Sequence, residues 1–182
     1  MTATSFDVFS ELRADLTQDI SPHNLRHALE QYPTGVVALA GYAQGVKEGL
    51  VATSFTVGVS VEPPLVSFAI QNHSRTWPRM READHIGVSI MGSRQSHICA
   101  QLASRSKDRF AGLDLRYSER GSIFLQGAAQ WLDTSVYAEL PAGDHHIVLL
   151  EVHGLASSTE QTSPLVRHRR AFRDLKTAEG NE

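Results

Sequence analysis

A mainly β fold, an antiparallel barrel or sandwich with a few short helices, is what this sequence predicts. Three observations carry that expectation. Apolar runs of strand length follow one another between Gly- and Pro-containing turns. No alternation of strand and helix of the β-α-β kind is visible. No G-x-G-x-x-G follows a strand and no G-x-x-x-x-G-K-[ST] occurs, so neither of the usual glycine-rich phosphate loops is present.

The elements follow in order. Ser21 and Pro22 give a helix start, with Ser as N-cap and Pro at the first helical position. Leu25, Ala28, Leu29 and Tyr32 continue at helical spacing, which predicts about three amphipathic turns closed by Pro33 and Gly35. From Val36 to Ala40 the pattern becomes a short apolar run bounded by Gly41, a buried strand. Further strands are expected at Leu50 to Phe55, Leu65 to Ile70, Ile86 to Met91, Phe124 to Leu132 and Ile147 to Val152, with Leu165 to Phe172 at an edge. Two short helices, Pro78 to Ala83 and Arg94 to Ala103, each follow a Ser or Thr.

Composition bounds the function classes. The chain has 182 residues, 41% of them hydrophobic and 20% charged, which suits one folded domain. Residues 21–176 read as that domain, 1–20 as an N-terminal extension and 177–182 as a loose tail. A formal charge of −3 offers no net basic field, so nucleic acid is not an expected partner. The run Arg167-His168-Arg169-Arg170 reads as a solvated face. No apolar stretch spans a membrane and no leader pattern is seen, so a cytoplasmic protein is expected. The single cysteine, Cys99, shares a helix face with Ile98 and Leu102 and reads as a buried, inert thiol. His23 and His27 lie four apart without an H-E-x-x-H or a cysteine cluster, so no metal is expected, and no G-x-S-x-G elbow marks a hydrolase.

Four segments carry polar groups suited to chemistry. Thr53-Ser54-Phe55 leads through a Ser-containing turn to Pro63-Pro64, which is either ordinary strand punctuation or a ligand wall. Asn72-His73-Ser74-Arg75-Thr76 sets hydroxyls and a guanidinium ahead of a helix and serves equally as a cap or as a phosphate cradle. Lys107-Asp108-Arg109-Phe110 places cations beside an aromatic ring, either as a phosphate contact or as a solvated loop. Gly143-Asp144-His145 opens an apolar strand, so His145 stands at a rim, where imidazole can donate or accept near neutral pH.

Taken in order, Tyr32-Pro33-Thr34-Gly35-Val36-Val37, Thr53-Ser54-Phe55 through Glu62-Pro63-Pro64-Leu65-Val66, Gln95 to Ala103 leading into Asp108-Arg109-Phe110, Gly143-Asp144-His145 and Pro164-Leu165-Val166 resemble the flavin reductase-like domain family. These are the short NAD(P)H:flavin oxidoreductases that serve as small components of two-component flavin-dependent monooxygenases. The resemblance spans about Leu25 to Leu175. It implies a Greek-key split β-barrel of the FMN-binding type, a homodimer, FMN or FAD held near the dimer interface, NADH or NADPH as hydride donor, and a separate monooxygenase partner. It also implies that Thr53, Ser54 and Phe55 line the flavin ring, that Ser74 and Thr76 meet its ribityl chain or phosphate, and that Arg109 faces the phosphate. Thr34, Asn72, Lys107, Phe110 and Asp144 join them as cofactor-binding residues, and His145 takes the nicotinamide side. Two other readings on the same barrel are a flavin storage or sensor protein and a pyridoxamine-phosphate-oxidase-like enzyme.

Overall fold

The computed structural model describes residues 16–104, 108–159 and 162–175. They fall into two compact units, divided after Tyr32. The first holds α1 (Pro22–Leu29), capped by Ser21 Oγ accepting from the Asn24 amide, and none of its residues is buried. Three turns were expected, but the helix stops after Leu29. The Gln31 and Tyr32 amides reach back only three residues, to Ala28 and Leu29, and the tightened turn runs out before Pro33.

In the second unit the strands are β1 (Thr34–Gly35), β2 (Val37–Ala43), β3 (Val46–Ala52), β4 (Thr56–Val61), β5 (Pro64–Gln71), β6 (Ile86–Ile90), β7 (Leu115–Tyr117), β8 (Ile123–Leu125), β9 (Gln130–Ala142), β10 (His145–Ser157), β11 (Leu165–His168) and β12 (Ala171–Asp174). The helices are α2 (Trp77–Met80) and α3 (Ser96–Ala103), the latter led in by a 3-10 turn at Ser93–Gln95. Seven strands form one antiparallel sheet in the order β3-β2-β6-β9-β10-β5-β4. Within it β5-β10-β9-β6 is a Greek-key arrangement, in which the first strand of the four returns beside the last. The sheet is an open barrel, since β3 and β4 at its two ends are not paired with each other among the described residues.

Alternation along the strands builds two cores. Leu39, Leu50 and Val88 face inward with Val66, Phe68, Val148 and Leu150 from the far side of the sheet, and Trp77 and Met80 of α2 complete this cluster. Residues from both ends of the sheet therefore share one core, which wraps the sheet around it. Val36, just ahead of β2, and the outward side chains Ala38 and Ala40 of β2 are buried by Ile98, Cys99 and Leu102 of α3 and by Ile123 and Leu125 of β8. Burial pushes the Cys99 thiol up, as expected for an inert sulfur.

Four expected strands differ in detail. The one expected at Leu50 to Phe55 starts earlier, at Val46, and ends at Ala52, where Thr53 leaves the sheet. Phe124 to Leu132 is broken after Leu125, where Gly127 takes φ 81° before β9 begins. Leu165 to Phe172 is a hairpin turned at Arg169 and Arg170, both at positive φ, so the basic run ends β11 and makes the turn into β12. Ile147 to Val152 is only the apolar middle of β10, which pairs with β9 along its whole length. β4 and β7 were not expected at all, because β4 is exposed along most of its length and carries no buried face to pattern its sequence.

The outer layer tests itself at Gly87, where an added Cβ would stand 2.2 Å from the Ile123 carbonyl oxygen. Gly87→Ala should cost about 1–3 kcal/mol by forcing β8 off the sheet. Gly35, with nothing within 4 Å of its Cβ position, is the control. Thermal melts of Gly87→Ala and Gly35→Ala would separate the two, and equal melting temperatures would refute this account of the packing.

Candidate functional site

Half of the expected site residues gather at the C-terminal end of β5. Along one edge of it, Ser54 Oγ donates to the Ala69 carbonyl at 3.1 Å and accepts from the Ala69 amide at 3.0 Å. The hydroxyl thus stands in for a strand neighbour just past the end of β3, and keeps one acceptor site unused by these two bonds. Along the other edge, β10 pairs Ile147 with Ala69 and His145 with Gln71. Thr53 and Phe55 are half-buried beside Ser54, and Phe55 packs on the inner core.

Cross-strand pairs share a face, so register assigns each side chain. His146 lies opposite Ile70 and Val148 opposite Phe68, on the inner face. His145, Ile147 and Leu149 lie opposite Gln71, Ala69 and Ser67, on the outer face, and on β9 their partners are Ala142, Leu140 and Ala138. The result is a flat, partly exposed apolar shelf of Leu140, Ile147, Ala69, Ala138 and Leu149 that ends at His145.

The turn that carries His145 is built tightly. Gly143 and Asp144 form the two-residue loop between β9 and β10, and Gly143 takes φ 64°, as glycine does at the first loop position of a type II′ hairpin. Asp144 Oδ1 lies 2.7 Å from His145 Nδ1, and this hydrogen bond holds the Asp144 carboxyl below the usual carboxylate range. With Nδ1–H donated to the carboxylate, His145 keeps Nε2 for another partner. Asn72, just past the end of β5, grips the same turn. Its amide donates to the Asp144 carbonyl at 3.0 Å, Nδ2 to the Gly143 carbonyl at 3.1 Å, and Oδ1 lies 2.8 Å from His146 Nδ1.

A second group forms where α2 meets β3. Ser74 Oγ accepts from the Trp77 amide at 3.2 Å and caps α2. Thr76 is buried, and its Oγ1 accepts from Arg109 Nη1 at 2.8 Å. The same nitrogen donates to the Gly49 carbonyl at 3.0 Å. Arg109 Nε and Nη2 have no hydrogen-bond partner among the described residues, which leaves three N–H donors on two nitrogens for an anion. Beside it, Arg79 forms a two-point ion pair with the buried Glu48, which raises the Arg79 guanidinium above its ordinary value. Two guanidiniums therefore fix consecutive residues of β3, one through the Glu48 side chain and one through the Gly49 backbone. On the inner face Glu139 accepts from the Trp77 indole at 3.3 Å and pairs with Arg81 at 3.2 Å. No sequence pattern singles out Glu48, Arg79, Arg81 or Glu139, because their partners are far away along the chain.

Phe110 is buried over Gly49, with Lys47 Nζ 5.5 Å from its ring, and belongs to the outer core. Thr34 pairs with Arg167 in the small sheet and makes no hydrogen bond to either polar group among the described residues. Lys107 lies outside the described residues. Among those residues, no helix is long and apolar enough to cross a membrane.

This geometry meets a family pattern over most of the chain, since the model of the flavin reductase like domain matches residues 29–176. The chain belongs to the flavin reductase like domain family. A flavin reductase of Pseudomonas putida is 36% identical over 147 residues, covering 80% of this chain and 86% of that protein. An NADH:FMN oxidoreductase of Rhodococcus erythropolis is 30% identical over 158 residues, covering 85% and 82%. Among solved structures, nitrilotriacetate monooxygenase component B from Mycobacterium thermoresistibile superposes with a TM-score of 0.84 at 30% identity, covering 91% of this chain and 93% of that one. Membership in the flavin reductase like family accounts for the mainly β, antiparallel architecture described above.

Asn72 is exposed, so removing its side chain costs hydrogen bonds and little packing. Asn72→Ala should destabilise the fold by about 1 kcal/mol and speed hydrogen exchange at the β9–β10 turn. Unchanged exchange at Asp144 and His145 would show that the clamp does not hold the turn.

Proposed function

We propose that this protein reduces flavin with a reduced nicotinamide and hands the reduced flavin to a separate monooxygenase. The observation that carries the reading is the apolar shelf on the outer face of β9, β10 and β5, which ends at His145 and faces away from the core. A flat apolar shelf suits one face of a tricyclic ring, and the two unused nitrogens of Arg109 suit a phosphate. The residues present thus fit a flavin.

When bound together, the two cofactors supply the redox chemistry, in which hydride passes from C4 of the nicotinamide to N5 of the flavin. The chain's own part is binding and orientation. Thr53 and Phe55 border the ring, and Ser54 offers its remaining acceptor site. Arg109, pre-set by Thr76 and Gly49, holds the phosphate with Ser74. His145, aligned by Asp144, offers Nε2 to the nicotinamide amide or to a proton at the same edge. Asn72 and Asp144 serve by fixing the turn. Asp144 has its pKa lowered in the folded state, so its contribution is complete above the ordinary carboxylate pKa and is lost as pH falls through the lowered value. The His145–Asp144 alignment is therefore intact at neutral pH and fails only in acid.

The reading includes a homodimer with the flavin near its interface. It is supported by the exposed shelf and by Val57, Val59 and Val61, all exposed on the edge strand β4. A cytoplasmic site of action, where reduced nicotinamide is available, fits the single buried cysteine.

Mixing the protein with NADH or NADPH and FMN or FAD should bleach the reduced-nicotinamide absorbance band, and no loss with any of the four pairs overturns the proposal. His145→Ala should raise KM for the nicotinamide about tenfold while flavin affinity holds, and Arg109→Ala should do the reverse. Steady-state titrations of each cofactor measure both, and a collapse of flavin affinity in His145→Ala would reverse the assignment.

A further inference from the structure

At the far end of the β9–β10 hairpin, away from the His145 turn, the β7–β8 ribbon leans over the outer face of the sheet and leaves a cleft of about 300 Å³. Since a strand rises about 3.3 Å per residue, the cleft at Leu155 lies roughly 30 Å from His145 along β10. It shares no residue with the site described above.

Its walls are aromatic, and its two charged groups are unequally engaged. Trp131 forms the floor, its indole N–H tied to the Leu125 carbonyl at 2.8 Å, and Phe124 and Tyr117 of the ribbon stand beside it. The Arg116 guanidinium lies over the Trp131 ring at 5.3 Å and makes no hydrogen bond among the described residues. Asp133, the cleft's carboxylate, is already engaged, with Oδ1 taking the Ser122 hydroxyl at 2.6 Å and lying 3.0 Å from His85 Nδ1. The Asp133 carboxylate keeps its charge but is committed to Ser122 and His85, whereas the Arg116 guanidinium is the charged group of the cleft whose donors are unspent among the described residues. Gly154 keeps the cleft open, because it lines the wall opposite Asp133 with no side chain.

We propose that this cleft binds a small planar aromatic anion, with its ring against Trp131 and Phe124 and its acid group on Arg116. The volume fits one or two rings. A cation-stacked aromatic floor provides both the flat contact and the donor fork that an aromatic carboxylate needs. The proposal does not rest on the flavin reductase reading.

Benzoate is the probe, and the two tryptophan indole N–H resonances of the ¹⁵N-labelled full-length protein are the readout. Benzoate should shift the Trp131 resonance saturably in the millimolar range and leave Trp77, buried in the inner core, in place. Benzylamine, of the same shape and opposite charge, should not shift it. Arg116→Gln should weaken benzoate at least about tenfold, the loss of a charge-assisted contact. Gly154→Val should block it by filling the cleft. A Cβ at Gly154 would meet only the Asp133 Cβ at 3.8 Å, an ordinary contact, so this variant should keep its fold. The proposal is overturned by the absence of a saturable Trp131 shift at ~10 mM benzoate, by benzylamine shifting it equally, or by undiminished affinity in Arg116→Gln, which lies on the surface and does not threaten folding.

Discussion

The pairing of β9 with β10 is the constraint on which the rest of the molecule depends. It is the longest ladder in the fold, and its two outer edges recruit β6 on one side and β5 on the other. Alternation along this hairpin assigns Val148 and Leu150 to the core and Ile147 and Leu149 to the opposite surface, so the core and the candidate flavin shelf are two sides of the same strand. A register slip of one residue would exchange them. Two irregularities, between Leu149 and Leu150 and between Val152 and Gly154, bend the hairpin without disturbing its inner face. Beyond the second one β10 becomes exposed, and there the strand borders the aromatic cleft.

Charge is placed by the backbone as much as by other side chains. Arg109 is held by a carbonyl and a hydroxyl, neither of which neutralises it, so its full positive charge remains available to a ligand. Arg79 beside it is committed to Glu48, and the two cations brace the same short piece of β3. This is a division of labour that an ion pair alone cannot provide. Pairing Arg109 with a carboxylate would hold it as firmly but would compete with any phosphate. Asn72 acts in the same way at the other group, spending a neutral amide to hold the His145 turn and leaving the nearby charge to Asp144.

The mainly β class and the buried strands were legible in the sequence because burial on at least one face leaves an apolar period. The exposed strands were not. β4 and the outer half of β10 are held by their neighbours' hydrogen bonds, and backbone pairing leaves no side-chain signature. The same distinction separates the site residues. Ser54, Ser74, Thr76, Arg109 and His145 stand in compact local motifs, whereas Glu48 and Glu139 meet their partners only through the fold. Asn72 shows the limit of motif reading from the other direction. Its neighbourhood in sequence suggests a phosphate, but its side chain is spent on a turn far along the chain.

That so little of the site is marked by reactive residues follows from the chemistry proposed for it. Hydride transfer between two bound cofactors needs no side-chain nucleophile, and a barrier lowered by proximity needs only that two rings be held face to face with water excluded. A protein doing this work is selected for a flat apolar surface beside a few fixed donors. Leu140, Ile147 and Leu149 would then be as functional as His145, although each looks like an ordinary strand residue left on the wrong side of the sheet. The shelf also explains why the described chain does not bury that face itself. Apolar area that must receive a ring, and then release it, has to remain uncovered until a cofactor or a second copy of the chain arrives.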